Sequence, residues 1–128
     1  MNVHIDDVVK RLDALGEREL DELPFGMIEL DSTGRIKKFN KTEGRLARID
    51  PARQVGKSFF DEVAPCTKVK EFHGRFLEGV RKKELYETFG FTFAFAHGRR
   101  DVAITLFYAK KTDSFWVLVS QKGIAPTA

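Results

Sequence analysis

The apolar positions change period along the chain, and each change marks a new element. Over residues 3–15, Ile5, Val8, Val9, Leu12 and Leu15 recur at helical spacing with charges between them, the pattern of a helix with one buried face. Gly16 supplies a stop. A second helical turn from Glu17 to Leu23 ends near Pro24, so residues 1–24 predict a helical cap packed by one face on the rest. Phe25 to Leu30 reads as a strand, Asp31-Ser32-Thr33-Gly34 as a turn, and Arg35 to Phe39 as the hairpin partner.

Helix signals then follow closely on one another. Asn40 with Glu43 three residues on predicts a capped helix to about Ala47. Asp50-Pro51 repeats the signal, with proline at the first helical position. Ser58 to Val63 is a further helical piece, broken by Pro65. A longer helix is predicted from Glu71 to Lys83, with Phe72, Phe76, Leu77 and Val80 as its buried stripe.

Past that helix the period becomes two. Phe89, Phe91, Phe93 and Phe95 alternate with small residues, His97-Gly98-Arg99-Arg100 turns the chain, and Val102, Ile104, Leu106 and Tyr108 alternate again. Thr112-Asp113-Ser114 makes the next turn. Phe115 to Val119 is a near-continuous apolar run, as a central strand shows. Two strands, a helical excursion and three strands make an α+β pattern: one five-stranded antiparallel sheet with flanking helices. The predicted organisation is a cap over 1–24, a main domain over 25–122 and a frayed tail over 123–128, all one folding unit.

Composition narrows the class. With 128 residues the chain is one domain, and 42% hydrophobic residues are enough for a packed core. A single cysteine forms no internal disulfide. Residues 1–7 lack the runs of a signal peptide and no segment is long enough to span a membrane, so the cytoplasm is the expected location. The net charge of +3 is spread over interspersed acids, which blunts any field for nucleic acid, and no nucleic-acid motif is present. His4, His73 and His97 have no metal-ligand spacing with each other or with Cys66. Neither a serine–histidine–acid arrangement nor a phosphate-binding glycine loop can be read, so an enzyme is not expected.

The candidate chemistry centres on Val63-Ala64-Pro65-Cys66-Thr67. Taken alone, Cys66 is either an inert buried thiol or the one covalent handle of the chain. Glu43 is either the closing residue of a capping box on Asn40 or a buried acid. The phenylalanines from 89 to 95 are core residues first.

Phe25-Gly26, Asn40 to Gly44, Asp50-Pro51, Gly56-Lys57, Phe59-Phe60, Asp61 to Thr67, Glu71-Phe72 and Trp116-Val117 together resemble photoactive yellow protein, from about Leu23 to Val119. The resemblance implies a PAS fold and a blue-light receptor carrying p-coumaric acid (4-hydroxycinnamic acid) as a thioester. By that resemblance Cys66 is the attachment site and Glu43 hydrogen-bonds the phenolic oxygen and exchanges a proton with it. Ile28, Phe39, Ala47, Phe59, Val63, Ala64, Thr67, Phe93 and Phe95 surround the group. The cap is then the element released on illumination. The partner implied is a downstream protein, with the receptor a monomer or weak dimer and with neither nucleic acid nor membrane involved.

Four positions depart from the family's pattern. Phe39 stands where the family has a tyrosine donor to the phenolic oxygen, and Ala47 where it has a supporting threonine. Ile49 stands where it has an arginine, with Arg48 one place earlier, and His97 where it has a methionine. One lost hydrogen bond to a charged oxygen forfeits about 1.5–3 kcal/mol, on the order of one to two pKa units toward the neutral phenol. The expectation is an anionic form absorbing further to the red, with some protonated form beside it. The alternative reading is a PAS interaction module without chromophore.

Overall fold

The computed structural model of the protein describes residues 5–95 and 97–121. Helix α1 spans Ile5–Arg11 and tightens into a 3₁₀ turn at Leu12–Ala14. Gly16 both ends this segment and caps α2, Glu17–Glu22. The predicted helix begins two residues earlier than the described chain, and the predicted tail lies outside the described residues.

Strands β1 (Gly26–Leu30), β2 (Ile36–Phe39), β3 (Tyr86–Phe95), β4 (Gly98–Ala109) and β5 (Ser114–Gln121) form one antiparallel sheet in the order β2-β1-β5-β4-β3. The β1–β2 turn is built as its sequence predicts. The Asp31 carboxylate accepts bonds from Thr33 N at 2.8 Å, Thr33 Oγ1 at 2.6 Å and Arg35 N at 3.0 Å. β5 is central and buried from Ser114 to Ser120, which explains its unbroken apolar run.

Because side chains alternate across a sheet, the two faces carry separate cores. On one face Ile28, Leu30, Val102, Ile104, Leu106, Val117 and Val119 pack against Phe59, Phe60, Phe72 and Phe76 from the helical excursion. On the other, Met27, Phe107, Trp116 and Leu118 are covered by Val8, Leu12, Leu20 and Phe25. The cap and the excursion therefore sit on opposite faces of the sheet.

Two predicted details need correction. The helix expected over 71–83 is a π-helical turn, Lys70–Gly74, followed by α4, Arg75–Lys82. The wider turn shifts the helical phase, so Phe72 and Phe76 stay buried while Leu77 is 51% exposed. The turn expected over 97–100 is shorter than read. Phe95 pairs with Gly98 and Phe93 with Arg100, which places Arg99 and Arg100 inside β4. Gly98, at φ 139°, makes this tight reversal possible.

Candidate functional site

The site begins with helix α3, Lys41–Ala47, and its cap. The Asn40 side-chain oxygen accepts from Glu43 N at 3.0 Å and from Met27 N at 2.9 Å. Its amide donates to Leu20 O at 2.7 Å and Phe25 O at 3.1 Å. One side chain thus ties α3 to β1 and to the cap, and fixes the rotation of the helix. Thr42 Oγ1 adds a 2.6 Å bond to Leu23 O, and Lys41 N one of 2.8 Å to Asp21 Oδ1.

That rotation turns Glu43 inward. The capping box is only half made: Asn40 caps Glu43, but Asn40 N donates to Met27 O and the Glu43 carboxylate goes elsewhere. Its oxygens accept two bonds of 3.0 Å from Nη1 and Nη2 of Arg100. The Glu43 side chain is 3% exposed and that of Arg100 17%. Burial pushes the Glu43 carboxyl above its ordinary range, and the Arg100 guanidinium pulls it back only in part. Gly26 makes room for this carboxylate, since a Cβ there would lie 2.2 Å from Glu43 Oε1.

The opposite wall comes from the excursion. Ser58 caps the first turn, its Oγ accepting from Asp61 N at 3.2 Å, while Glu62 Oε2 reaches back to accept from Ser58 N at 2.7 Å. This sets Phe59–Val63 in a π-helical turn, followed by a 3₁₀ turn at Pro65–Thr67. Thr67 is fully buried, its hydroxyl donating to Ala64 O at 2.6 Å. Cys66 is a free thiol, partly exposed and packed against the core of this face.

Ile28, Phe39, Glu43, Ala47, Phe59, Val63, Ala64, Phe93 and Phe95, all singled out in the sequence, line one cavity together with Ile49. Cys66 and Thr67 lie in the turn that follows its wall rather than in the lining. The cavity is about 10 Å³, room for about one water. Near solvent, Phe95 stacks between Phe93, at 5.3 Å, and His97, at 5.2 Å between ring centroids.

The structure separates two arginines near the site. Arg48 ends α3 at φ 60° and is exposed, so it does not stand in for the family's arginine. Arg100, read from sequence as part of a solvated turn, is the cation of the site. The signal was present: Arg100, Val102, Ile104 and Leu106 share one period-two row.

A buried acid thus lines an apolar cavity, and a free thiol lies in the turn that follows one of its walls. The profile of the PAS fold family matches residues 14–119. Photoactive yellow protein of Halochromatium salexigens is 36% identical over 116 residues, covering 91% of this chain and 93% of that protein. That of Rhodothalassium salexigens is 37% identical over the same shares. Among solved structures, the photoactive yellow protein domain of the sensor histidine kinase Ppr from Rhodospirillum centenum superposes with a TM-score of 0.84 at 39% identity, covering 88% of this chain and 99% of that one. The chain belongs to the photoactive yellow protein family, within the PAS fold. Among the described residues, no helix is long and apolar enough to cross a membrane.

Proposed function

We propose that this PAS sensor is a blue-light receptor holding p-coumaric acid as a thioester on Cys66, with Glu43 at the phenolic end and the cap as the signalling element. The observation that carries the reading is the continuity of Val63-Ala64-Pro65-Cys66-Thr67: Val63 and Ala64 wall the cavity that contains Glu43, and the thiol follows two residues on.

The donor set fits such a group. Cys66 supplies the thiol, Phe59, Val63 and Ala64 an apolar wall that shields a thioester from water, and Glu43 with Arg100 the polar partners a phenolic oxygen requires. The ring would have to part the closed wall, of which Ile49, Val63 and Phe95 are partly exposed. When bound, the group supplies light-driven trans–cis isomerisation about its double bond. Glu43 holds or gives up the proton at the phenolic end. A change of charge there acts on α3, whose first turn is bonded through Asn40, Lys41 and Thr42 to Leu20, Asp21 and Leu23 of the cap. Release of those bonds is the route by which the cap would loosen and a downstream protein be informed.

The test is acylation with p-coumaric anhydride or p-coumaroyl-CoA, followed by absorption spectroscopy and mass spectrometry of the Cys66 peptide. A visible band that bleaches in blue light and recovers, with the acyl mass on that peptide, supports the receptor. The cavity's small volume and Phe39 favour a second reading, a PAS interaction module without chromophore; an unlabelled, colourless protein would establish it.

A further inference from the structure

The pairing of Glu43 with a strand arginine has no counterpart in the sequence reading of the site, and it changes the charge at the phenolic end. Arg100 follows Gly98 in the row of β4 that continues through Val102 and Ile104, and stands opposite Phe93 in register. Its Cζ lies 5.9 Å from the Phe93 ring centroid. The guanidinium meets the carboxylate as a fork, two parallel bonds of 3.0 Å, the geometry that selects planar anions. The other elements packed around Glu43 present apolar groups to it: Ile28 from β1, Phe59 from the turn below, Phe93 and Phe95 from β3. Among the described residues, Arg100 is the charged group that acts on Glu43.

We propose that Arg100 is the second positioning donor of this site: it holds Glu43 as the anion in the unacylated chain, and offers its fork to the phenolic oxygen of a Cys66-bound ligand. The second half rests on the reading of Cys66 given above. A guanidinium has more N–H donors than the two that Glu43 occupies. Arg100 thereby supplies what Phe39 cannot, a donor to the phenolic oxygen. The charge balance is explicit. The unacylated pocket holds one guanidinium cation and one carboxylate. On acylation Glu43 takes the phenolic proton, and the cation then faces one phenolate, so no net charge enters the buried space. Ligands ending in an acidic hydroxyl are preferred over those ending in an ether.

The test uses the full chain, wild type and Arg100→Gln, in two arms. In the unacylated proteins the ¹³C shift of the Glu43 carboxyl is titrated. Arg100→Gln should titrate at higher pH than wild type, and coincident curves would overturn the pairing. Both proteins are then treated with p-coumaric anhydride, the adduct verified by mass, and the phenol titrated by absorbance. Loss of a charged donor should raise its midpoint by about one to two pH units, a 10- to 100-fold change in ionisation. Equal midpoints would overturn the ligand half. Absence of an adduct in wild type would instead overturn the Cys66 reading, while the first arm still decides the pairing. Should Arg100→Gln fail to fold, Arg100→Lys keeps the cation and loses the fork; Glu43 and the phenol should then both titrate at higher pH than in wild type, whereas an unmoved Glu43 would overturn the pairing and an unmoved phenol midpoint the ligand half.

Discussion

The amide of Asn40 donates a 2.7 Å hydrogen bond to the carbonyl of Leu20, joining the helix that carries the buried acid to the cap on the far face of the sheet. Asn40 is 4% exposed and has its oxygen and its amide each engaged twice. Asn40→Ala removes a helix cap and strands buried backbone groups of β1 and α2. A loss of about 2–4 kcal/mol is expected, with faster amide exchange over residues 17–23 than in wild type. Unchanged exchange there would mean that the apolar contacts of the cap hold it without Asn40.

Gly26→Ala tests the fit of Glu43 directly. The added Cβ would meet Glu43 Oε1 at 2.2 Å and Glu43 Cβ at 2.8 Å, so α3 or the carboxylate must shift. The expected cost is about 1–3 kcal/mol from overpacking, seen as a lower denaturation midpoint together with a displaced Glu43 carboxyl resonance. A variant of wild-type stability would show that α3 can move outward freely.

Glu43 also gives stability a pH dependence of defined sign. Its folded pKa lies above the ordinary 4.5 because burial outweighs Arg100. Through the window that opens near 4.5 and extends upward, the folded state holds more protons than the unfolded chain, so stability falls as pH rises. The unfolding free energy of wild type minus that of Glu43→Gln should therefore fall as pH increases above that value. Denaturant titrations at several pH values measure it. A difference that grows with pH would mean that Arg100 outweighs burial.

The single tryptophan reports on the cap. Trp116 is buried in the cluster with Val8 and Leu12, and its Nε1 has no hydrogen-bond partner among the described residues. Leu12→Asp places an unpaired charge in that cluster and should cost at least about 2–3 kcal/mol of cap docking. The emission of Trp116 should move to the red and become quenchable by acrylamide while sheet circular dichroism persists. Emission as blue as wild type would show the cap still docked.

Much of this molecule was legible along the chain because its signals are local. Asn40, Asp50 and Ser58 each cap the segment that follows within three residues, and each does so in the structure. Period two marked the strands, and the unbroken run after Phe115 marked the central one. The segment around Cys66 and the inward Glu43 were readable through a family resemblance carried by contiguous residues. The order of strands, the face covered by the cap and the partner of Glu43 were not, because they depend on register and docking between distant segments. Leu77 looked buried until a π-helical turn shifted the phase of α4. Arg100 looked solvated because a glycine and two arginines in a row read as a turn. Only the pairing of Phe93 with Arg100 and the rotation of α3 by Asn40 bring the guanidinium to the carboxylate across 57 positions. Sequence by itself determined the elements, their caps and the thiol; tertiary structure decided the charge at the end of the pocket, since a buried ion pair exists only where two separately folded segments meet.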